Sequence, residues 1–346
     1  MSELVQGVLR QVAEGHTLDA ETAERMMDQL MQGQLSPVHT AALVSAMAAR
    51  GETVDEIVGF ARAMRSHSNS LRVPFDVVDT CGTGGDGVGT FNISTASAVV
   101  AAAAGARVAK HGNRAVSSRS GSADVLSALG AHVDLNEAEA LRCLEVSGLC
   151  FLFAPSYHPA LRHAAETRRE LGFRTIFNIL GPLTNPAGAK RQVIGVFRAD
   201  LVDKVAQALV ELGTEHALVV HGAGGLDELS LAGESLVAEV RHGQWHRYTL
   251  NPEDVGLTRA PLETVIGGDA AANAELIRGI LSGQAGPPRD VVLYNTGAVL
   301  YIAGIASSIG EGVRMAAQCV DEGAATATLV RFIGATMASE AEEVAQ

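Results

Sequence analysis

Gly82, Gly84, Gly85, Gly87 and Gly89, with Asp86 among them, follow directly on the apolar pair Val77-Val78 and Asp79. An apolar run that empties into glycines reads as a short buried strand followed by a loop of exposed backbone. Asn92, Ser94 and Thr95 then precede the alanine-rich run 96–104, so the spacing predicts a helix whose first turn is capped by their oxygens. Free N–H groups at such a helix start attract anions. From Gly87 to Ala123, 37 residues pass without Asp or Glu, yet they include Arg107, Lys110, His111, Arg114 and Arg119. In a chain of net charge −13, that local reversal beside a glycine loop predicts a pocket for a polyanionic small molecule, most simply a phosphate ester.

Other readings of the glycines fit less well. Gly82, Gly84 and Gly87 match GxGxxG, but a dinucleotide fold wants an acidic residue about 20 positions later for the ribose, and the acid-free run withholds it. A Walker loop needs Lys and Ser or Thr after its last glycine, where this chain has Val88 and Gly89. A glycine-rich surface turn explains neither the helix start nor the basic segment.

These residues must be positioned by the elements around them. The 346 residues allow two or three domains, and 47% hydrophobic with 19% charged residues is an ordinary globular balance. With 39 acidic against 26 basic side chains, non-specific binding to nucleic acid is disfavoured. Cys81, Cys143, Cys150 and Cys319 show no metal-site spacing or disulfide framework. The apolar run 96–106 is too short to span a bilayer and the first residues lack a signal-peptide layout. A cytoplasmic protein with no membrane partner is the expectation.

Residues 1–72 read as helices only. Gly33 ends one periodic segment, Ser36-Pro37 opens the next and Gly51 closes it, and Thr53-Val54-Asp55-Glu56 is a capping box. After Pro74, short apolar strands alternate with helices: 77–79, 107–109, 149–153, 193–197 and 217–220. That alternation predicts an α/β domain with a mostly parallel central sheet. Ligands gather beyond the carboxyl ends of such strands, where the Gly82, Lys110 and Gly222 loops can converge. Segment 158–188 interrupts the alternation with a helix over 160–171 and a sharp turn over 178–187, where Gly181-Pro182 and Asn185-Pro186 fall. Residues 236–250 predict an antiparallel hairpin around His242-Gly243, and two further helices are expected after Asp290.

The stretches GTGGDGVGTFNIST and KHGNRAVSSRSGSADVLSALG, with RTIFNILGPLTNP (174–186) and GLDELS (225–230), together resemble the anthranilate phosphoribosyltransferase family, in that family's order. The resemblance implies a small helical domain (1–73, joined by a returning segment 158–188), an α/β domain (74–157 and 189–346), and an active site in the hinge cleft between them. It further implies a homodimer formed through the helical domain, and transfer of the phosphoribosyl group of 5-phosphoribosyl 1-pyrophosphate (PRPP) to the amine of anthranilate in tryptophan biosynthesis. By the same resemblance, Gly82, Gly85, Asp86, Thr90, Asn92, Ser94, Thr95, Lys110, Asn113, Ser117, Ser118 and Ser122 take PRPP. Gly82, His111, Asn113, His158, Arg168 and Pro182 line the anthranilate site. Ser94, Asp227 and Glu228 hold Mg2+.

Adjacent carboxylates on a loop are ordinarily solvated surface. Here Asp227 and Glu228 follow a strand and Gly222-Ala223-Gly224-Gly225, and a pyrophosphate leaving group needs hard cations with oxygen ligands. Lys110, Asp227 and Glu228 are the expected transition-state stabilisers, with no residue acting covalently. Pyrimidine nucleoside phosphorylase shares the implied fold, but its loop is preceded by Lys-His where this chain has Thr80-Cys81. A nucleic-acid-binding relative would need a basic groove.

Overall fold

The computed structural model describes residues 3–115 and 119–343. Four helices come first: α1 (Glu3–Ala13), α2 (Ala20–Met31), α3 (Pro37–Arg50) and α4 (Val54–Ser66). Their boundaries follow local chemistry. The Ser36 hydroxyl accepts the His39 N–H with Pro37 at the first helical position, and the Thr53 and Glu56 side chains cap each other's backbone.

The α/β part follows as β1 (Val78–Gly82), α5 (Ile93–Ala103), β2 (Val108–Gly112), α6 (Ser122–Leu129), α7 (Glu137–Ser147), β3 (Leu149–Phe153) and α8 (Ala154–Tyr157). Two helices, α9 (Arg162–Leu171) and α10 (Ile176–Leu183), pack back on α2, α3 and α4. The chain then returns through β4 (Arg191–Gly195), α11 (Leu201–Glu211), β5 (His216–His221), β6 (Ser235–Arg241) and β7 (Gln244–Leu250). It ends in α12 (Ala270–Leu281), α13 (Pro287–Ile302), α14 (Ile309–Asp321) and α15 (Ala324–Glu343). This is a helical N-terminal domain joined to a larger α/β domain with a mostly parallel sheet.

The seven strands lie in the order β3-β2-β1-β4-β5-β6-β7. The first five in that order pair in parallel and β6 and β7 are antiparallel. From β1 the chain winds outward one way to β2 and β3, and from β4 it winds the other way. The reversal between β1 and β4 leaves a crevice at their carboxyl ends, the place where ligands bind in such sheets. The parallel strands of the sheet are buried on both faces, as period-two alternation in β5 shows, whereas the edge strand β7 is largely exposed. Leu218 and Val220 join the core with α5 and α13, whereas Ala217 and Val219 join the one with α4, α10 and α11. Each valine or leucine so placed contributes about 1.5–3 kcal/mol by burial.

Several expectations need correction. β1 and β2 run three residues further than the apolar pattern suggested, so Lys110 and His111 lie within β2, held by pairing with Phe151 and Leu152. Residues 178–183 do not turn; they are the rest of α10, with Pro182 inside the helix. Burial of Ile176, Ile179, Leu180 and Leu183 outweighs the hydrogen bond that proline forfeits, and the Thr184 hydroxyl donates to the Leu180 and Gly181 carbonyls at the helix end. Beyond Asp290 three helices are found, the break between α13 and α14 falling at Ser308, whose hydroxyl accepts the Glu311 N–H. The 236–250 hairpin turns at His242 (φ 54°) and Gly243 (φ 73°), a conformation that matches the twist of its strands.

Candidate active site

Gly82 ends β1 and Gly195 ends β4, and the two are register partners. A β-carbon on Gly82 would lie 2.8 Å from the Asp227 Cγ, and one on Gly195 would overlap the Asp227 carbonyl. Two bare positions at the switch point therefore let the loop after β5 lie across the ends of both strands. Asp227 Oδ2 accepts the Gly84 N–H at 2.8 Å, and Glu228 Oε1 accepts the Ser94 N–H at 3.2 Å. The glycine loop, the start of α5 and the loop carrying Asp227 and Glu228 are thus one assembly.

Asn92 sits at the N-cap of α5, but its side chain makes no capping bond. It donates instead to the Ser120 carbonyl, and its oxygen accepts from Ser120 and from Asn273 of α12. The carboxylate of Glu228 takes an orphan N–H in its place, which the helix dipole favours. Thr90 bridges to Ile266, with the Gly267 N–H donating to the Gly89 carbonyl at 2.9 Å. The far end of the glycine loop is thereby fixed. Thr95 is buried with its hydroxyl unpartnered among the described residues.

Lys110 is almost fully buried beneath this assembly. Its ammonium donates to the Thr80 carbonyl at 2.6 Å and to the Ser94 hydroxyl at 3.2 Å. A buried charge needs such partners. Burial pushes the Glu228 carboxyl up to about 7, against the pull of Lys110 and of the bond from Ser94. Burial first, then repulsion from Asp86 and Glu228, raises Asp227 well above the usual carboxylate range. Asp86 uses one oxygen to accept the Val88 N–H, and the other is buried without a partner among the described residues.

Crowded, buried carboxylates with an unpartnered oxygen and a serine hydroxyl nearby are hard donors, and their mutual repulsion is what a divalent cation relieves. Among the described residues no three His, Cys, Asp or Glu side chains form a cage for a metal. Mg2+ ordinarily needs only one or two carboxylates, the rest of its shell being water and substrate phosphate. The donor set therefore fits Mg2+.

On the other side of the crevice, His111 and His158 face each other with ring centroids 5.1 Å apart. His111 Nδ1 lies 3.1 Å from the Gly181 carbonyl and His158 Nε2 lies 3.0 Å from the Thr184 carbonyl. A carbonyl only accepts, so those nitrogens carry the protons, and His111 Nε2 is left as a buried lone pair without a partner among the described residues. Burial, with repulsion from His158 and Lys110, lowers His111 to about 3, and burial lowers His158 to about 4. Both rings are neutral. Pro182 is buried one residue beyond the carbonyl that meets His111. Arg168 of α9 sits with its guanidinium carbon 5.1 Å from the Phe177 ring centroid, its pKa lowered by burial. Among the described residues its guanidinium has no hydrogen-bonded or ionic partner.

Asn113 and Ser122 meet at the ends of a loop, where the Asn113 carbonyl accepts from the Ser122 hydroxyl and the Ala123 N–H. Asp124 ties that loop shut by accepting from Arg114, Ala115 and Gly121. Ser117 and Ser118 lie outside the described residues. The basic residues of the acid-free run do not all gather here. Arg107 is at the opposite end of β2, 3.8 Å from the Phe75 ring centroid, and Arg114 is paired with Asp124.

Three supporting residues escape the sequence reading. Buried Asp79 of β1 accepts the His111 N–H, and its other oxygen accepts from Asn185, which also donates to the Ala109 carbonyl. A lone carboxylate inside an apolar strand was the available signal for Asp79. Nothing local signals the bonds that Asn185 makes to Asp79 and Asn273 makes to Asn92, because those partners are 106 and 181 residues away.

Residues 6–68 match a family model described as glycosyl transferase family, helical bundle domain, and residues 75–326 match the corresponding a/b domain. An anthranilate phosphoribosyltransferase of Rubrobacter xylanophilus is 53% identical, the match covering 95% of this chain and 97% of that one. One from Anaeromyxobacter is 52% identical over 96% and 99%. Among solved structures, the anthranilate phosphoribosyltransferase of Thermus thermophilus superposes with a TM-score of 0.90 at 47% identity, covering 95% of this chain and 99% of that one. The Saccharomyces cerevisiae enzyme in complex with PRPP and Mg gives 0.89 at 25% identity, covering 97% and 99%.

Proposed function

The chain belongs to the anthranilate phosphoribosyltransferase family of glycosyl transferases, and from that membership we infer how its crevice joins anthranilate to PRPP, giving N-(5-phosphoribosyl)anthranilate and pyrophosphate. The strongest support is the meeting of Asp227 and Glu228 with the Gly84 and Ser94 N–H groups at the β1–β4 switch point. Backbone donors, a helix start and paired carboxylates in one place suit a metal-bound pyrophosphate. Asp227, Glu228 and Ser94 would hold Mg2+, which when bound offsets the charge of the pyrophosphate. Gly82, Gly85, Asp86, Thr90, Asn92, Thr95, Asn113 and Ser122 line the PRPP side, and the family resemblance assigns Ser117 and Ser118, which lie outside the described residues, to the same substrate.

Anthranilate lies across the crevice, against His111, His158, Pro182, Gly82 and Asn113. The unpaired guanidinium of Arg168 meets its carboxylate, for which a planar fork of donors is suited. The anthranilate nitrogen is a weak nucleophile, so the barrier lies in breaking the C1–pyrophosphate bond through an oxocarbenium-like transition state. Lys110 stabilises that state from beneath, by fixing Ser94 and placing positive charge under the helix start. Neutral His111 and His158 add no charge that would favour a second phosphate over an aromatic ring.

The fluorescence of anthranilate, followed with protein, PRPP and Mg2+, tests the reading. Decay that stops when PRPP is omitted or EDTA is added is expected. A folded protein that leaves anthranilate untouched, and phosphorolyses thymidine instead, would overturn it.

The helical domain is residues 1–73 with the returning segment 158–188, and the cleft between it and the remainder is the hinge. Support comes from α9 and α10 packing on α2, α3 and α4. The protein is a homodimer through that domain, where Val38 of α3 is 75% exposed. Val38→Lys should shift the sedimentation coefficient from dimer to monomer, and an unchanged value would count against this surface. Among the described residues no helix is long and apolar enough to cross a membrane. A cytoplasmic location is supported by four free cysteines, three of them buried.

A further inference from the structure

Arg174 stands between α9 and α10, on the helical side of the crevice. Its guanidinium carbon lies 4.4 Å from the centroid of the Phe197 ring. The backbone that carries that ring is itself held, because the Phe197 N–H donates to the Thr83 hydroxyl at 3.2 Å and the Thr83 N–H donates to the Gly195 carbonyl at 2.8 Å. A β-carbon on Gly85 would lie 2.9 Å from Arg174 Nε, and one on Gly87 would lie 3.9 Å from Nη2. The guanidinium therefore rests on the bare backbone of the glycine loop, which belongs to the other domain.

Among the described residues the Arg174 guanidinium has no hydrogen-bonded or ionic partner. Arg50, Arg114, Arg198 and Arg289, by contrast, are each bonded to a carboxylate. A planar fork of five donors, stacked in place and left unpaired beside an anion-binding loop, is arranged for a phosphate. Lys110 is less free for that purpose, since it is buried and two of its three ammonium donors are engaged by Thr80 and Ser94.

We propose that Arg174 grips the pyrophosphate of PRPP from the helical side of the cleft, so that binding this anion ties the two domains together across the glycine loop. The inference rests on the reading that the crevice takes PRPP. As the C1–O bond breaks, its electron pair leaves on the pyrophosphate, whose non-bridging oxygens accept from Arg174. The new bond forms between C1 and the amine nitrogen, and the amine proton passes to water.

The test is calorimetric titration of inorganic pyrophosphate with Mg2+ into the wild-type protein, Arg174→Ala, Arg174→Lys and Phe197→Leu, with KM measured for both substrates. Arg174→Ala should weaken pyrophosphate at least about tenfold, the range of a missing charge-assisted hydrogen bond, and raise the KM for PRPP in step. The KM for anthranilate should stay within about twofold, because the charged group removed bonds to the other substrate alone. Arg174→Lys should recover part of the affinity, keeping the charge without the fork. Phe197→Leu should weaken pyrophosphate in the same sense, and it carries the test if Arg174→Ala does not fold. Unchanged pyrophosphate affinity in Arg174→Ala, or an equal rise in both KM values, would overturn the proposal. If the wild type binds pyrophosphate through Arg174 yet leaves anthranilate unconsumed, the anion grip stands and the reading of the acceptor falls.

Discussion

Gly82→Ala isolates the geometry of the switch point. The added methyl group would lie 2.8 Å from the Asp227 Cγ and closer still to its Oδ2. Gly82 does not have a left-handed backbone, so alanine brings no conformational strain there and the conflict is confined to Asp227. Ordinary contact between a carbon and that carboxyl needs roughly 3.5 Å, so the carboxylate must move by about 1 Å. The Gly84 N–H then loses its acceptor. A displacement of about 1 Å in a charged catalytic group costs on the order of a hundredfold in rate, which is about 3 kcal/mol.

The assay is anthranilate fluorescence decay at several Mg2+ and PRPP concentrations. We expect kcat/KM for PRPP to fall about a hundredfold and the Mg2+ requirement to rise. Stability should drop only by the about 1–3 kcal/mol of an overpacked site. Gly195→Ala is the contrasting variant, because its methyl group would overlap the Asp227 backbone, which no rotamer change relieves. It should unfold far more readily than Gly82→Ala. Wild-type kcat/KM in a folded Gly82→Ala at every Mg2+ concentration would rule out this coupling between Gly82 and Asp227.

Asn185→Ala strips Asp79 of a 2.8 Å hydrogen bond and leaves the Ala109 carbonyl without its side-chain donor. The cost should be about 2–4 kcal/mol, read as a lower urea midpoint. Thr53→Ala removes half of a capping box and should cost about 1 kcal/mol without touching activity. His111 and His158 titrate at about 3 and about 4 in the folded state against an ordinary 6.5, so below about pH 6.5 the unfolded chain binds the extra protons. Their contribution is complete above that pH and declines as pH falls towards the folded values, at about 1.4 kcal/mol per pH unit for each ring. Asp227 and Glu228, raised by burial, act with the opposite sign. The difference between wild type and His158→Gln in urea midpoints at pH 7 and pH 5 therefore isolates the histidine, and no difference in slope would contradict its burial as a neutral ring.

Much of this was readable in the sequence where the cause is local. The Ser36 and Thr53 caps, the strand preceding the glycine loop and the His242-Gly243 turn each depend on residues a few positions apart. The start of α5 was placed correctly but its capping was not, because the acceptor is Glu228, 134 residues away. Similar separation in sequence hides the hold of Asn185 on Asp79 and of Arg174 on the Gly85 loop. Alternation in β1 and β2 ended at Asp79 and Ala109, yet pairing with β4 and β3 carries both strands on to their glycines. Proline chemistry alone put a turn at Pro182, and the apolar burial of α10 overrides it.

The division of the crevice into a PRPP side and an anthranilate side is tested most directly by steady-state kinetics of Arg168→Ala beside the double variant Asp227→Asn, Glu228→Gln. Arg168→Ala should raise the KM for anthranilate about 10- to 100-fold, the worth of a charge-assisted bidentate contact, with the KM for PRPP unchanged. The double variant should lower kcat and raise the KM for PRPP and the Mg2+ requirement, with anthranilate binding retained. The reverse pattern, or equal effects of both variants on both substrates, would contradict that division.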